Sequence, residues 1–261
     1  MHRMFRGAAR IAASALTAAN RGGAADMRKG AGRTAVPIAV VVTVATLTAA
    51  PTAASTLEVD VSLPGVTAPS NEGISWQNNG SVGAFNTRSG VVLICSGLHA
   101  EGTINVDDNQ PATGIGSVAS LTFNGCTING LPLQITPMNM PWRMDVTGAT
   151  SSGVAPAKLV GVKLHMYWPS FGCQMYLEAP SGADGEIAGE YHDPASPGAA
   201  GKFHIPYLSS INNLSLNDLS GACAKSLFAQ GDSFQFFFVA DLRGNSATNN
   251  EGPTLLSKLV P

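Results

Sequence analysis

The sequence predicts an all-β domain, an antiparallel β-sandwich or barrel of about ten short strands with at most one short helix. Apolar residues alternate with polar ones in several segments, and these segments follow one another without helical patterns between them. The chain contains 29 glycines and 16 prolines, which favour turns over long helices. Its 261 residues are 44% hydrophobic and 12% charged, values typical of a folded domain with one ordinary core.

The N-terminal region contains a pattern typical of export. Residues 27–33 are cationic, residues 36–47 form an apolar run, and small residues at 52–54 precede an expected cleavage site. We therefore predict a signal peptide at 27–54 and a single mature secreted β-domain at 55–261. The apolar run is short for a hydrocarbon layer of about 30 Å, so we expect no stable transmembrane anchor after cleavage.

The segment that precedes this signal peptide, residues 1–26, is redundant if the signal peptide is used. It is either an unusually long cationic region or the result of a start codon assigned too far upstream, with Met27 as the real first residue. We prefer the second explanation. The arginine-rich, acid-poor composition also suits an organelle transit peptide, a weaker explanation because a complete signal peptide follows it.

The predicted mature domain is acidic and poor in charge. From residue 55 onward it contains 8 basic and 16 acidic side chains, which gives a formal charge of −8. Nucleic-acid binding requires clustered lysine and arginine on one face, so we expect no nucleic-acid partner. We expect a secreted, extracellular protein, either released or associated with the cell wall, whose partner in that space is unknown.

The cysteines agree with an oxidising compartment. All four, Cys95, Cys126, Cys173 and Cys223, lie in the predicted mature domain. None belongs to a Cys-x-x-Cys pair, which disfavours a zinc site or a thioredoxin-like redox site, and the even number indicates two disulfides. Of the three possible connectivities we favour Cys95–Cys126 with Cys173–Cys223, because each bridge would close one half of the chain.

The first half of the domain contains several strand signals. Residues 57–63 alternate between apolar and polar side chains, which predicts a half-buried strand. Asn129-Gly130 predicts a tight hairpin turn. Residues 67–89 contain few apolar side chains and predict turns around one short strand. Strands are predicted at 81–85, 91–95, 103–106, 117–123, 131–136 and 142–146, with a turn at 107–109.

The second half of the domain continues in the same style. Residues 158–167 alternate strictly, which predicts a strand whose apolar face is formed by Val160, Val162, Leu164 and Met166. The remaining predictions are a hairpin formed by 173–179 and 185–191, a strand at 212–217, a short helix at 222–228, a strand at 233–239 with Phe234, Phe236 and Phe238 inside, and a flexible tail from about residue 244.

A series of framework residues extends over most of the predicted mature domain: Cys95, Phe123-Asn124-Gly125-Cys126, Pro141-Trp142, Cys173, Gly189-Glu190-Tyr191, Cys223 and Gly231-Asp232. In order and spacing this series resembles a group of secreted actinobacterial four-cysteine β-domain proteins of unknown function. The resemblance implies a secreted β-domain from a high-GC Gram-positive source, and it brings no catalytic residues. The chain departs from the pattern in its extended N-terminus and in its tail at 244–261.

The sequence predicts no catalytic, cofactor-binding or metal-binding residue. His192-Asp193, His99, His165 and His204 could supply metal ligands or a general base, but they belong to different predicted elements and lack ligand-like spacing. Residues 114–119 loosely match a dinucleotide-binding fingerprint. They open a predicted strand and not a helix, which predicts an ordinary turn.

Other candidate functional sites have even less support in the sequence. The acidic segments 107–109 and 184–186 could offer oxygen ligands to calcium, but neither has the spacing of a calcium loop, so solvated turns are favoured. The chain contains no Gly-x-Ser-x-Gly and no His-Glu-x-x-His motif, so no hydrolase signature is found. Trp142 is expected to fill the core beside a disulfide, together with Phe123.

These observations favour an exported, non-enzymatic β-domain that acts as a binding or structural module outside the cell or within the envelope. The first alternative is a carrier or pore-like envelope protein for apolar ligands. It would need outward-facing apolar alternation in several strands of about ten residues, and only residues 158–167 are long enough. The second alternative is a secreted hydrolase without a recognisable motif.

Overall fold

Alternation of buried and exposed side chains along the chain produces the predicted all-β architecture. A computed structural model describes residues 55–207 and 214–261, which contain seventeen strands, two one-turn 3-10 helices and no α-helix. In chain order the strands are β1 (Thr56–Ser62), β2 (Ser70–Asn78), β3 (Val82–Asn86), β4 (Val92–Cys95), β5 (Gly97–Pro111), β6 (Gly116–Asn124), β7 (Thr127–Ile128), β8 (Leu131–Pro132), β9 (Gln134–Met138), β10 (Trp142–Val146), β11 (Val154–Trp168), β12 (Cys173–Glu178), β13 (Gly185–His192), β14 (Gly201–Ile205), β15 (Ser215–Ser220), β16 (Phe234–Gly244) and β17 (Thr254–Val260).

Some sequence predictions concern residues outside this part of the chain. The N-terminal extension predicted at 1–26 and the signal peptide predicted at 27–54 both lie outside the described residues. The strand predicted at 212–217 overlaps their boundary, and its second half is found at the start of β15. In the described part of the chain, no helix has the length and hydrophobicity needed to cross a bilayer.

Eight strands close into an antiparallel barrel. Around the ring, β5 pairs with β2, β2 with β16, β16 with β14, β14 with β13, β13 with β11, β11 with β10, β10 with β6, and β6 again with β5. Closure pairs each of these strands on both sides, which removes the exposed edges that an open sheet would have. The prediction of an antiparallel sandwich or barrel is confirmed, and the barrel is the form found in this region.

Two barrel strands continue into further sheets, which we call the extension. The first half of β16 pairs with β3, and that sheet continues through β4, β7 and β8. The second half of β11 pairs with β9 and β12, and β12 pairs with β15. Both predicted disulfides are confirmed and lie in the extension: Cys95–Cys126 connects β4 to the residue before β7, and Cys173–Cys223 connects β12 to the segment after β15.

Two local predictions in the extension are also confirmed. Asn129 and Gly130 have positive φ values of 49° and 76°, and they join the paired residues Ile128 and Leu131. This is the backbone conformation that favours Asn-Gly in a two-residue hairpin loop. The phenylalanines expected to face inward on the aromatic strand are all buried: Phe234, Phe236 and Phe238.

A bulge at Gly161 joins the barrel half and the extension half of β11. Gly161 has a φ of 95°, and the pairing with β13 shifts between Val160 and Val162. Because of this extra residue, the buried positions of β11 change from odd-numbered residues such as Leu159 to even-numbered residues such as Val162 and Leu164. The predicted core position of Val160 is therefore wrong, because strict alternation does not anticipate a bulge.

The hairpin predicted between residues 173–179 and 185–191 is also wrong. Strands β12 and β13 are found in these segments, but they do not pair with each other. Both pair with β11, one after the other along its length, with β12 opposite residues 164–168 and β13 opposite residues 154–162. The fifteen-residue strand β11 offers backbone partners to both segments, and its length could not be read from the alternation alone.

The end of the chain differs from prediction in two places. Residues 222–228 form turns around the Cys173–Cys223 bridge instead of a helix, and buried Phe228 holds them against the core. The expected flexible tail contains β17, which pairs with β1 over all seven residues and buries Leu255. In both segments tertiary contacts decide the conformation, and local propensity does not.

The strands β2 and β5 were under-predicted. The region of β2 was expected to consist of turns because it is rich in polar residues, yet it contains two fully buried apolar side chains, Ile74 and Trp76. The expected short strand at 103–106 is part of the fifteen-residue β5, which also includes the predicted turn at 107–109. In a closed barrel even polar segments form strands, because their backbone N–H and C=O groups need hydrogen-bond partners.

The barrel interior is packed with apolar side chains. Trp76 and Phe203 are in contact with ring centroids 5.5 Å apart, and Trp142 is 2% exposed, which confirms its predicted role as a core residue. Trp142 and Phe123, expected beside the first disulfide, line a central cavity of about 20 Å³. A cavity of this size has room for about one water molecule, so the barrel has a solid core and not a lumen.

Candidate functional site

A cleft of about 560 Å³ lies on the outer face of the barrel, between strands β13, β14 and β16 and the loop at 193–200. Tyr191 on β13 and Phe203 on β14 are fully buried, so the residues that alternate with them point outward. We call this feature the outer cleft. Its polar lining consists of Asn79, His192, Asp193, Lys202, His204, Asp241 and Arg243.

Two neighbouring strands bring one acidic side chain and two histidines together beside the outer cleft. Glu190 and His192 are two residues apart on β13 and therefore project from the same face. His204 on β14 is the direct antiparallel partner of Glu190. One ligand atom from each of the three side chains can be chosen so that all three atoms lie within 4.8 Å of one another. We call Glu190, His192 and His204 the His-Glu cluster.

The histidine contacts leave one ring nitrogen without a hydrogen bond. His192 Nε2 lies 3.4 Å from Glu190 Oε2, and the rings of His192 and His204 have centroids 5.8 Å apart at 50°. His192 Nε2 is shielded from solvent but has no hydrogen-bond partner among the described residues. A shielded polar atom without a partner is unfavourable, so a ligand at this nitrogen would be stabilising.

The remaining lining of the outer cleft carries charges of both signs. The Asn79 side-chain amide donates to the two carboxylate oxygens of Asp241 at 3.1 and 3.2 Å. The Arg243 guanidinium donates to the carbonyl oxygen of Asn250 at 3.0 Å. Lys202 is the cross-strand neighbour of His192 on one side and of Asp241 on the other. The cleft therefore combines these charged and polar groups with four apolar side chains, those of Ala195, Ala199, Ala200 and Val239.

A smaller groove of about 200 Å³ continues from the outer cleft across β16 and β2 and includes His99 on β5. Asp241 pairs with Gln77, and Gln77 pairs with His99, so the two features follow one row of outward residues. His99 Nε2 lies 3.5 Å from Glu101 Oε1, and both side chains are largely exposed. His99 therefore has a carboxylate neighbour but no second histidine.

The backbone beneath the outer cleft is held by bonds to the C-terminal segment. The Tyr191 hydroxyl donates to the carbonyl oxygen of Pro253, and burial raises the pKa of Tyr191 well above its usual value. Asp193 accepts a hydrogen bond from the backbone N–H of Leu255 at 2.8 Å, and its partial burial raises the pKa of this carboxyl group. These bonds fix the end of β13, which carries the His-Glu cluster.

Of the four histidines considered from the sequence, the structure brings together only His192 and His204. His99 lies in the neighbouring groove. His165 lies in the extension, where its ring packs against Tyr176 with centroids 5.0 Å apart. Asp193 is next to His192 in sequence, and its carboxylate accepts a hydrogen bond from the backbone N–H of Leu255.

The acidic segments considered as calcium ligands make contacts within the protein instead. In the first segment, the backbone N–H of Asn109 donates to Asp60 at 2.7 Å, and its side-chain oxygen accepts from Lys258 at 2.7 Å. In the second, the Asn139 amide donates to Asp184 at 2.6 Å. Within the described ranges, the His-Glu cluster is the one group of three such side chains whose ligand atoms converge.

The residues from the glycine-rich segment and from the Gly-Asp pair have framework roles. Gly114 occupies a turn with φ of 72°, as predicted, and its N–H donates to buried Asp145 at 2.8 Å. Asp232 is buried in the extension and accepts hydrogen bonds from Arg88 and from the Asn86 side-chain amide. The bond from Arg88 is the main reason that the pKa of Asp232 lies below its usual value.

Sequence reasoning missed the His-Glu cluster because its members come from two strands whose pairing was not predicted. The usable signal was present in the segment Glu190-Tyr191-His192, where two potential ligands flank a core tyrosine on an alternating strand. The hairpin prediction assigned this strand to the wrong partner, so His204 was not placed opposite Glu190. Comparison of the chain with protein-family models, with curated proteins and with solved structures gives no match.

Proposed function

We propose that this protein is an exported, non-enzymatic binding module that presents its ligand site on the outer cleft of the barrel. The observation that carries this proposal is the contrast between the two faces of the barrel wall. The inner face is apolar and encloses about 20 Å³, whereas the outer cleft has about 560 Å³ and a lining in which charged side chains stand beside small apolar ones. A ligand larger than a water molecule therefore has room outside the barrel and not within it.

Two further features support export and a binding role. Two disulfides are expected in an oxidising compartment and are rare in the cytosol. Among the described residues, no serine, threonine or cysteine lines the outer cleft, which disfavours an acyl-transfer or thiol hydrolase at this part of the surface. The same packed interior disfavours the carrier and pore alternatives, since an acyl chain or an ion path would need open space along the barrel axis.

Native mass spectrometry of the protein recovered from the growth medium or the envelope tests this proposal. We expect a bare monomer whose mass corresponds to residues 55–261 with both disulfides formed. A retained lipid would contradict the proposal in favour of the carrier, and a ring-shaped oligomer would contradict it in favour of the pore. A mass that includes residues 1–54 would contradict export through the predicted signal peptide. Turnover of chromogenic ester or glycoside substrates by the same sample would support the hydrolase instead.

A further inference from the structure

We infer that the His-Glu cluster binds one divalent late first-row transition-metal ion, with zinc as the reference ion. The inference rests on the proposed function, because it names the class of ligand that the outer cleft takes. Its ligands are the imidazole nitrogens of His192 and His204 and the carboxylate of Glu190. The site is distinct from the four cysteines, all of which are engaged in disulfides.

The spacing of the donor atoms fits a metal centre. Zinc binds imidazole nitrogen and carboxylate oxygen at about 2.0 to 2.2 Å, so two donors in a tetrahedral site are separated by roughly 3.3 to 3.5 Å. His192 Nε2 and Glu190 Oε2 are 3.4 Å apart. One donor atom from each of the three side chains can be chosen so that all three lie within 4.8 Å of one another, and a side-chain movement of about 1 Å would bring such a set within range.

The strands beneath the cluster keep the three ligands close together. Glu190 and His204 are direct cross-strand partners in a closed barrel, and His192 follows on the same face of β13. Buried Tyr191 between the two β13 ligands fixes the direction of that face, because its hydroxyl bonds to Pro253. A rigid backbone lowers the entropic cost of bringing three side chains to one ion.

The chemistry of the donors selects the class of ion. Two imidazoles and one carboxylate suit zinc, copper, nickel and iron, whereas calcium and magnesium prefer sites built entirely from oxygen ligands. The shielded, unpartnered Nε2 of His192 would obtain a partner from the ion. Three protein ligands leave a further coordination position for water or a small ligand, and two of the three ligands, His192 and His204, line the outer cleft.

Isothermal titration of the exported protein, with both disulfides intact, against zinc chloride tests the inference. We expect one zinc ion per monomer for the wild type and no saturable binding of calcium or magnesium. Removal of second-shell partners of metal ligands weakens metal binding by about 10- to 100-fold, so His192→Ala and His204→Ala should each weaken zinc binding by about 100-fold or more. Glu190→Gln keeps the shape of the side chain and should weaken binding by at least about tenfold.

His99→Ala is the matched control, because His99 is also an outward-facing barrel histidine beside a carboxylate. His165→Ala is a second control in the extension. Both should leave zinc binding unchanged within about twofold. Absence of saturable zinc binding by the wild type would overturn the inference, and so would equal weakening by His99→Ala and His192→Ala.

X-ray absorption at the zinc edge needs only the wild-type protein, so its result does not depend on how well the variants fold. For the zinc-loaded wild type we expect scattering from two imidazoles at about 2.0 Å, and absence of imidazole scattering would overturn the inference. The proposed function and the metal site can be disproved independently of each other. A lipid-loaded protein that still binds zinc would remove the module proposal and leave the metal site, whereas a bare monomer that ignores zinc would do the reverse.

Discussion

The barrel and the extension secure their strand edges in different ways. In the barrel, eight strands pair in a closed ring. In the extension, the sheets reach the two-residue strands β7 and β8 on one side and β15 on the other, and both disulfides are located there. A closed ring is stabilised by its own backbone pairing, whereas short strands make few hydrogen bonds and depend on covalent links. The His-Glu cluster lies in the barrel, which contains neither disulfide.

The difference also separates structural residues from candidate functional ones. Buried charge in the extension is neutralised within the protein, as in the bonds between Arg88 and Asp232. Shielded side-chain atoms without a hydrogen bond occur in both regions, and the one at His192 lies beside a cleft of about 560 Å³. A fully satisfied polar group contributes to stability, whereas an unsatisfied one at a cleft indicates a site for a ligand.

Insertion of one alanine after Gly161 should have the largest effect, because it shifts the register at the junction of the two regions. With this additional residue, β11 has to bury either the face that contains Leu159 or the face that contains Val162, Leu164 and Met166. Exposure of three large apolar side chains costs about 5 to 8 kcal/mol, comparable to the whole stability of many domains. We expect little or no folded protein by circular dichroism.

Gly161→Ala is the control for this insertion, since it keeps the length of the bulge and only places a side chain at φ of 95°. It should fold and lose about 1 to 2 kcal/mol in urea unfolding. If the insertion were as stable as this substitution, the bulge would not set the register between the two regions.

Phe203→Ala should destabilise the whole molecule by about 3 to 5 kcal/mol, because it opens a cavity in the packed barrel interior beside Trp76. Hydrogen exchange should show faster opening for amides in all barrel strands, since a closed ring opens as one unit. Phe171→Ala is a matched control, because this ring is partly exposed in the extension. Loss of protection confined to β14 would contradict a cooperative barrel.

Replacement of Cys173 and Cys223 by alanine should cost about 2 to 4 kcal/mol, because the bridge closes a loop with a sequence separation of 50 residues. In contrast to the barrel substitution, the lost amide protection should be concentrated in β12 and β15. Zinc binding should persist, since the His-Glu cluster lies in the barrel. Equal loss of protection in β13 and β14 would show that the two regions are not energetically separable.

Asp232→Asn should lower stability by about 1 to 3 kcal/mol at neutral pH, because the charge-assisted bond to Arg88 is lost. The pKa of Asp232 is depressed in the folded state, so its stabilisation is present above the unfolded-state pKa of about 3.9 and is lost as the pH falls towards the folded value. The variant should lose less stability than the wild type over this acidic range.

Unfolding in urea at a series of pH values measures this difference between the two proteins. Asp218→Asn makes the same charge change at an exposed position of β15 and is the matched control. A variant curve parallel to that of the wild type over the acidic range would contradict the assigned role of Asp232.

The fold class and both disulfides could be predicted because they depend on repeated local patterns and on the number of cysteines in the sequence. Alternation, turn residues and four well-separated cysteines are local properties, and Asn129-Gly130 carries its own backbone preference. The bulge at Gly161, the pairing of β13 with β11 and the strand at the C-terminus depend on distant partners. A single sequence gives no direct measure of such partners.

The candidate site was harder to predict from the sequence than the fold, for the same reason. Glu190 and His192 are close in sequence, and their shared face follows from the period of a strand. His204 becomes their neighbour only through the pairing of β13 with β14 in the closed barrel. The outer cleft was also hidden, because its opposite wall is formed by the loop at 193–200, whose path is set by tertiary contacts.

The most direct test of an outer binding site is a crystal structure of the protein soaked in zinc chloride, with diffraction data collected at the zinc absorption edge. We expect one strong anomalous peak bounded by Glu190, His192 and His204, with ligand distances of about 2.0 to 2.2 Å. An empty His-Glu cluster in crystals that bind zinc elsewhere, or zinc bound inside the barrel, would contradict it.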